Sequence, residues 1–403
     1  MKKLPHPVPL FDNFELSSHI QTALKLEAFM QQDLMAALDF LKQYAGNKAT
    51  FTAYRHEIER FLLWAWLVLK KSIFTLQRGD LEAYVNFCLN PSSDWIGTEN
   101  ARRYIGVERL PNPAWKPFII RVNKKEQKDG ILPNKSTYKP SQKAIHAIFT
   151  TISCFYNYLL LQDKISVNPV SLIKQKSKYL QKQQTQRVIR RLSDQQWEIC
   201  LSVALEKADL DPKNERTLFI LCAMYLLYLR VSEFVASDRW TPQMGHFYRD
   251  SNGAWWFKTV GKGNKMRDIA VCDDMISALK RYRLSLGLAP LPSMNEATPL
   301  LSKEKGVGAI TSTQHIRRLI QSCFDESVER LRQKNSNDEA DALELATVHW
   351  LRHTGISDDL NKRGRPTAHV RDDAGHSSSA ITDLYNDIEL MQRYNSAKAK
   401  SIS

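Results

Sequence analysis

The chain has 403 residues, of which 43% are hydrophobic, enough to bury a sizeable core in two or three domains. Lysine and arginine number 57 against 43 aspartates and glutamates, and the resulting net charge of +14 favours a polyanionic partner such as nucleic acid. A membrane partner is not expected, because the longest apolar run, residues 218–229, is too short to span a bilayer and no long basic amphipathic helix is found.

The N-terminus and the cysteines indicate the compartment. The segment from Met1 to Pro7 lacks the apolar core of a signal peptide, and the six cysteines lie far apart in sequence. No Walker loop, HExxH, paired CxxC or GxSxG signature occurs in the chain. We therefore predict a cytoplasmic protein with neither a structural metal nor a cofactor.

The first 173 residues predict a mostly helical region. Residues 1–45 form an N-terminal extension, and helices are predicted at 50–70, 81–87 and 141–161, where apolar side chains recur at steps of three and four. Residues 91–140 carry six prolines and two tryptophans, which predicts a long irregular insertion. We favour a mobile surface loop for this insertion.

Residues 174–191 have the composition of a linker, because they contain many basic residues and no acid. The segment is either a solvated tether or a chain that crosses a phosphate backbone, and both readings remain open. The candidate DNA contacts are Lys174, Lys176, Lys178, Arg190 and Arg191.

A second folded unit begins at residue 192. Ser193 and Gln196 have capping-box spacing, as do Thr311 and Gln314 before a second amphipathic helix. The unit also contains an apolar helix at 218–229 and two strands, 254–260 and 267–271, joined by a lysine-bearing turn. The predicted fold class is mainly α with a small β-sheet, an α+β arrangement.

Four short segments of this unit carry groups suited to a phosphodiester. They are Tyr-Leu-Arg-Val-Ser-Glu with Arg230, Gly-Lys-Gly-Asn-Lys with Lys262, His-Trp-Leu-Arg-His-Thr-Gly with His349 and Arg352, and Gly-His with His376, nine positions before Tyr385. Attack on a phosphodiester places extra negative charge on the non-bridging oxygens, which guanidinium forks match. Arg230 and Arg352 fit this role, although a salt bridge to Glu233 is an alternative for Arg230.

Histidine and tyrosine side chains complete the candidate chemistry. His349 is suited to assist deprotonation of a nucleophile, and His376 to donate a hydrogen bond to the phosphate. The pKa of a free phenol is about 10, so Tyr385 needs nearby positive charge to become a nucleophile. Tyr394 has no histidine at the matching offset.

These segments resemble the boxes of the tyrosine recombinases, the family of bacteriophage integrases and Xer recombinases. The resemblance covers residues 193–387 and, more weakly, 46–173. It implies a two-domain DNA clamp, with a helical, SAM-like core-binding domain at 46–173 and a catalytic domain at 192–387. A C-terminal tail at 388–403 either packs on a neighbouring subunit or frays.

The resemblance also implies the reaction. Tyr385 would form a 3′-phosphotyrosyl link without metal or ATP, and Lys262 would protonate the departing 5′ oxygen, with Lys265 as the competing candidate. Four identical subunits would act on double-stranded DNA carrying two specific sites, in integration, excision or transposition of a mobile element. The alternatives are relaxation of DNA by a type IB topoisomerase and a non-catalytic DNA-binding regulator.

Two segments depart from the family pattern. The usual Leu-Gly-His reads Ala374-Gly375-His376, which should alter only a packing contact. Residues 362–373 are longer and more charged than the pattern, so the path between the last two boxes is left open.

Overall fold

The fold is taken from a computed structural model, which describes residues 4–17, 19–20, 24–123, 126–127, 129–174, 190–261 and 263–376, and, beyond these, residues 378, 382, 394, 397, 398 and 400. The chain divides into two compact units, residues 1–185 and 186–403. The division falls within the basic segment 174–191. Lys176, Lys178, Lys262 and Tyr385 lie outside the described residues, as does the side chain of Lys174.

Helices are the main regular elements of the first unit. They are α1 (Ala28–Lys42), α2 (Lys48–Trp64), α3 (Arg78–Leu89), α4 (Gln142–Leu161) and the short α5 (Ser171–Lys174). Helix α2 begins where the Asn47 side chain accepts a hydrogen bond from the Thr50 amide, and it continues into a π-helical turn, Ala65–Leu69. The three helices predicted in this region are confirmed. Helix α1 was not predicted, and it packs into the same core as α2 and α4.

The segment 91–140 is irregular, as predicted, but the interpretation as a mobile surface loop is wrong. Its strands β3 (Ile96–Gly97) and β6 (Phe118–Ile119) pair in parallel, and β4 (Tyr104–Ile105) pairs antiparallel with β5 (Leu110–Pro111). The two tryptophans of the segment, Trp95 and Trp115, are buried in the core of the unit. Burial of these large side chains, each worth several kcal/mol at about 25 cal/mol per Å², holds an otherwise irregular chain in place. A smaller hairpin, β1 (Phe11–Asp12) with β2 (Glu15–Leu16), lies near the N-terminus.

Helix α4 is the one helix of the described residues that is long and apolar enough to cross a membrane, judged by length and composition. Half of the apolar stretch is buried inside the first unit, including Ile148, Ile152 and Phe155. The same signature is typical of a core helix in a folded unit.

The second unit combines helices with one small sheet. Its helices are α6 (Asp194–Leu210), α7 (Glu215–Leu226), α8 (Asp273–Ser285), α9 (Thr313–Gln333), α10 (Asn337–Glu344), α11 (His349–Asn361) and α12 (Thr367–Ala374). The sheet is antiparallel in the order β7 (Phe247–Arg249), β8 (Trp255–Val260), β9 (Met266–Ala270). The predicted hairpin is confirmed, and β7 is an additional edge strand. The mainly α fold with a small sheet is therefore as predicted.

One of the two predicted capping boxes is present. At the start of α6, Ser193 Oγ accepts a hydrogen bond from the Gln196 amide at 3.2 Å, and the Gln196 side chain accepts one from the Ser193 amide at 3.0 Å. The box predicted for Thr311 and Gln314 is wrong. Helix α9 begins at Thr313 after Ser312, which makes no side-chain capping bond, so the helix starts one residue later than the pattern indicated.

The close approach of α7 and α11 positions the candidate site. A Cβ atom added to Gly355 would lie 1.9 Å from the carbonyl oxygen of Tyr225, so only glycine permits this crossing. Helix α7 ends shortly before Arg230, and α11 carries Arg352. The crossing therefore brings the two candidate arginines to the same side of the unit.

We expect Gly355→Ala to destabilise the second unit by about 3 kcal/mol, because a methyl group in this crossing forces the two backbones apart. Urea unfolding followed by circular dichroism measures the change. The matched control is Gly79→Ala in α3, where an added Cβ meets nothing within 4 Å and stability should not fall. Equal stability of Gly355→Ala and wild type would show that the helices can separate without cost.

Candidate active site

Arg352 is the buried centre of the candidate site. Its side chain is 2% exposed, and it donates hydrogen bonds to the carbonyl of Tyr228, to the carbonyl of Ala374 at 2.6 Å and to Nε2 of His376 at 3.2 Å. Tyr228 lies just beyond α7 in the left-handed region, with φ of 52°, which turns its carbonyl towards α11. One guanidinium thus joins the end of α7, helix α11 and the turn that carries His376.

Arg230 is the more accessible arginine. Its side chain is 22% exposed, and it forms the salt bridge to Glu233 that the sequence left as an alternative, with Nη1 3.0 Å from Oε1. Its Nη2 also donates to the carbonyl of Gly375 at 3.3 Å. Arg230 therefore forms the salt bridge to Glu233 and at the same time lies beside the turn that carries His376.

Arg267 on β9 is a third arginine of this cluster, and it was not predicted from the sequence. Both of its terminal nitrogens donate to the Glu233 carboxylate at 2.9 Å, and its Nε donates to the carbonyl of Asp373 at 2.9 Å. These arginines hold the pKa of Glu233 below its ordinary value although burial alone would raise it. The sequence carries no signal for this contact, because the burial of Glu233, which makes a second donor necessary, is seen only in the structure.

The C-terminal turn of α12 is the common target of the three arginines. The successive carbonyls of residues 373, 374 and 375 accept hydrogen bonds from Arg267, Arg352 and Arg230, respectively. The last carbonyls of a helix lack partners within the helix and lie at the negative end of its dipole, so guanidinium groups are favoured there. Gly375, with φ of 62°, ends the helix and leads directly into His376.

The three histidines of the site all have a lowered pKa. Burial, followed by the positive charges of Arg352 and Arg230, lowers the pKa of His349, and the same causes lower that of His376 to about 4. Burial and the neighbouring His349 lower the pKa of His353 to about 4, and the two rings lie 5.5 Å apart. At neutral pH these histidines are therefore uncharged, and His349 is able to accept a proton.

The hydrogen bonds of His376 fix its tautomer. Arginine can only donate, so Nε2 of His376 accepts from Arg352, and the ring proton lies on Nδ1, 3.0 Å from the Thr382 hydroxyl. For His376 to donate to a phosphate through Nε2, the proton must move between the two ring nitrogens.

The histidines make stability depend on pH. The pKa values of His353 and His376 are lower in the folded chain than the ordinary 6.5, so the unfolded state binds protons first as the pH falls. We expect stability to be fully present above pH 6.5 and to fall towards pH 4. Urea midpoints between pH 7.5 and 4.5 test this, and His353→Gln should flatten the slope. An unchanged slope in that variant would contradict the assignment.

The remaining candidate residues are only partly described. Lys262 and Tyr385 lie outside the described residues, but Gly261, which precedes Lys262, is so close to the arginines that an added Cβ would lie 2.7 Å from Nη1 of Arg267. In the basic segment, Arg191 donates to Ser357 Oγ on α11 at 3.2 Å, and Arg190 is exposed. The described part of the chain contains no group of three or more metal-ligating side chains placed to hold a metal ion.

Comparisons with known proteins agree with the geometry. Residues 190–390 match the model of the phage integrase family, and the chain belongs to this family of tyrosine recombinases. Tyrosine recombinase XerC from Chlorobaculum parvum (strain DSM 263 / NCIMB 8327) is 24% identical over 256 residues, which cover 61% of this chain and 69% of that relative. The chain is accordingly a site-specific recombinase, and neither the topoisomerase nor the non-catalytic regulator is favoured.

Solved structures share the fold of the chain. The XerH site-specific recombinase bound to its palindromic difH substrate, in a post-cleavage complex, aligns with a TM-score of 0.52 at 14% identity, over 92% of this chain and 89% of that one. The Tn1549 transposon integrase in complex with circular intermediate DNA aligns with a TM-score of 0.51 at 16% identity, over 91% and 99%. The predicted fold is thus confirmed.

Proposed function

We propose that the chain cuts and rejoins double-stranded DNA through a covalent bond between Tyr385 and the 3′ phosphate of the cut strand. The observation that carries the proposal is the convergence of Arg230, Arg352 and His376 on one helix-ending turn, with His349 one helical turn before Arg352. This cluster concentrates positive charge where a phosphodiester in its pentacoordinate state needs it.

The proposed cleavage step balances without a cofactor. The Tyr385 oxygen bonds to phosphorus while the bond from phosphorus to the 5′ oxygen breaks. The new phosphotyrosyl bond retains the energy of the broken phosphodiester bond, which is then available for rejoining. His349, uncharged at neutral pH, accepts the phenol proton, and Lys262 supplies a proton to the departing 5′ oxygen. A 5′ hydroxyl from a partner strand then reverses the step. Lys265 is the alternative proton donor.

The contact between Arg352 and His376 suggests how the site binds the phosphate. A phosphate oxygen that takes the place of Nε2 would accept a hydrogen bond from Arg352. It would also accept one from His376 once the ring proton moves to Nε2. Arg230, at the exposed side of the cluster, would provide the first contact with the incoming phosphate.

A suicide substrate tests this function. A duplex site selected by binding from a random library is nicked beside the scissile phosphate, so that the released fragment diffuses away. Wild type should form an adduct that survives denaturation, and Tyr385→Phe should form none while still binding the site. Tyr394→Phe is the matched control and should form the adduct normally. The proposal would be contradicted if Tyr385→Phe formed the adduct. It would also be contradicted if wild type bound the site and formed no adduct.

The assembly and the biological role are further parts of the proposal. Four copies would act on two DNA sites, with residues 46–173 and 192–387 enclosing the duplex and residues 388–403 packing on a neighbour or fraying. The reaction would serve integration, excision or transposition of a mobile element in the cytoplasm, in keeping with the similarity to a transposon integrase. Light scattering of the DNA complex measures the subunit number, and sequencing of DNA trapped on the protein identifies the sites.

A further inference from the structure

The guanidinium of Arg267 lies in a narrow slot between two glycines of the second unit. A Cβ atom added to Gly261 would lie 2.7 Å from Nη1 of Arg267, and one added to Gly375 would lie 3.0 Å from its Cδ and 3.2 Å from its Nε. Each glycine immediately precedes a candidate catalytic residue, Lys262 in the first case and His376 in the second. Arg267 therefore packs against the backbone where two segments of the proposed active site begin.

The side chain of Arg267 has little freedom to move within this slot. It is 9% exposed, both terminal nitrogens donate to the Glu233 carboxylate at 2.9 Å, and Nε donates to the carbonyl of Asp373 at 2.9 Å. Glu233 is held in turn by the amide of Arg230 at 2.9 Å. The end of an exposed arginine yields easily to a neighbour, but here any movement would break buried hydrogen bonds. The guanidinium is thus a fixed surface against which Gly261 packs.

The turn between β8 and β9 meets the arginine cluster through Gly261. The Gly261 amide donates to the carbonyl of Lys265 at 2.8 Å, which closes the turn. The other described residues of the turn, Gly263, Asn264 and Lys265, are exposed. The contact between Gly261 and Arg267 is therefore well placed to set the position of the turn.

We propose that Arg267 is a positioning residue for proton transfer, which holds the backbone at Gly261 and so places the group that protonates the departing 5′ oxygen. The inference rests on the proposed function, in which Lys262 is that donor. Lys262 directly follows Gly261, so a displacement of the glycine passes to the lysine through one peptide bond. Lys265, the alternative donor, is joined to Gly261 by the hydrogen bond that closes the turn.

This role differs from that of the arginines proposed to bind the phosphate. Each of the three guanidinium nitrogens of Arg267 already donates to Glu233 or to the carbonyl of Asp373. Arg267 therefore acts through the backbone of the turn, and its loss should impair the protonation of the leaving group more than the binding of the phosphate.

A change of leaving group on the nicked duplex site tests this role. In a second substrate, sulfur replaces the 5′ oxygen at the scissile phosphate. The thiolate then departs without a proton, because the pKa of a thiol is about 8.5, far below that of an alcohol. Positioned proton transfer contributes about 100- to 10,000-fold, so Arg267→Lys should form the adduct about 100-fold more slowly on the oxygen substrate and within about threefold of wild type on the sulfur substrate.

Gly261→Ala tests the same contact without removing a charge. Its added Cβ would collide with Nη1 of Arg267 and displace the turn, so it should react about 10-fold more slowly on oxygen and normally on sulfur. Arg283→Lys is the matched control, since Arg283 is also buried and forms a fork on a carboxylate, that of Glu296, in the same unit. It should lower the urea midpoint and leave both rates of the folded protein unchanged.

The inference would be overturned if the two variants lost rate equally on both substrates, because the defect would then not lie in proton transfer. Wild-type rates on the oxygen substrate would overturn it as well. Where the two variants disagree, or Arg267→Lys does not fold, Gly261→Ala decides, since it retains every charge. Failure of the proposed function looks different, because wild type would then form no adduct with either substrate, or Tyr385→Phe would form one.

Discussion

Replacing Arg352 by lysine should lower the rate of adduct formation about 100-fold or more and also destabilise the second unit. The rate falls because the charge stabilising the pentacoordinate phosphate loses its planar fork, and loss of a single such donor typically costs 100- to 1000-fold. Stability falls because the buried guanidinium serves three acceptors, the carbonyls of Tyr228 and Ala374 and the His376 ring. An ammonium group cannot reach all three, and each buried acceptor left alone costs about 1–3 kcal/mol.

Arg230→Lys is the informative comparison, because it should separate catalysis from folding. Its partner Glu233 stays paired with Arg267, and Gly375, whose carbonyl it also contacts, is exposed. We expect a similar loss of rate with a loss of stability below about 1 kcal/mol. Single-turnover adduct formation and urea midpoints measure both variants. If Arg352→Lys keeps the wild-type midpoint, the three hydrogen bonds do not stabilise the fold.

The candidate site could be predicted in part because phosphodiester chemistry limits the choice of side chain. His349 and Arg352 lie three positions apart on one helix, so their shared face follows from helix geometry. Arg267 could not be found this way. Its role depends on meeting Glu233, 34 positions earlier in the chain, and that meeting is created by the position of β9. Contacts between distant elements leave no periodic trace in the sequence.

In the fold, as in the site, the elements with strong local sequence signals were predicted, and those without such signals were missed. Helices α2 and α4 have strong apolar stripes and side-chain caps at Asn47 and Ser141, and they were predicted. Helix α1 has a comparable stripe but begins after Glu27, whose side chain makes no capping bond, so its start lacked a signal. The insertion was misread because proline content indicates irregular backbone, whereas burial of Trp95 and Trp115 decides whether that backbone is fixed.

The unusually charged segment 362–373 forms an ion-pair network next to Tyr228, whose carbonyl contacts Arg352, one of the two arginines proposed to be catalytic. Arg363 and Arg365 both fold back onto the carboxylate of Asp359 on α11, and Arg365 also contacts Asp373 at 2.7 Å. The hydroxyl of Tyr228 donates to the same Asp359 and accepts from Arg365 at 3.0 Å. The network therefore holds the hydroxyl end of Tyr228, and the carbonyl of the same residue accepts a hydrogen bond from Arg352.

We expect Asp359→Asn to destabilise the second unit by about 1–3 kcal/mol, because it removes the charge of a buried carboxylate that two partly exposed arginines and the buried Tyr228 hydroxyl share. The folded fraction should also form the adduct about 10- to 100-fold more slowly, since the Tyr228 carbonyl and hence Arg352 would shift. Urea midpoints and single-turnover rates without urea measure the two effects separately.

Arg363→Gln provides the matched control for this network. Arg363 contacts the same carboxylate, but its side chain is 46% exposed, so its removal should cost less than about 1 kcal/mol and leave the rate unchanged. A double-mutant cycle of Asp359→Asn with Arg365→Gln should reveal a coupling of at least about 1 kcal/mol. If Asp359→Asn loses stability while its folded fraction reacts at the wild-type rate, the network stabilises the fold without positioning Arg352.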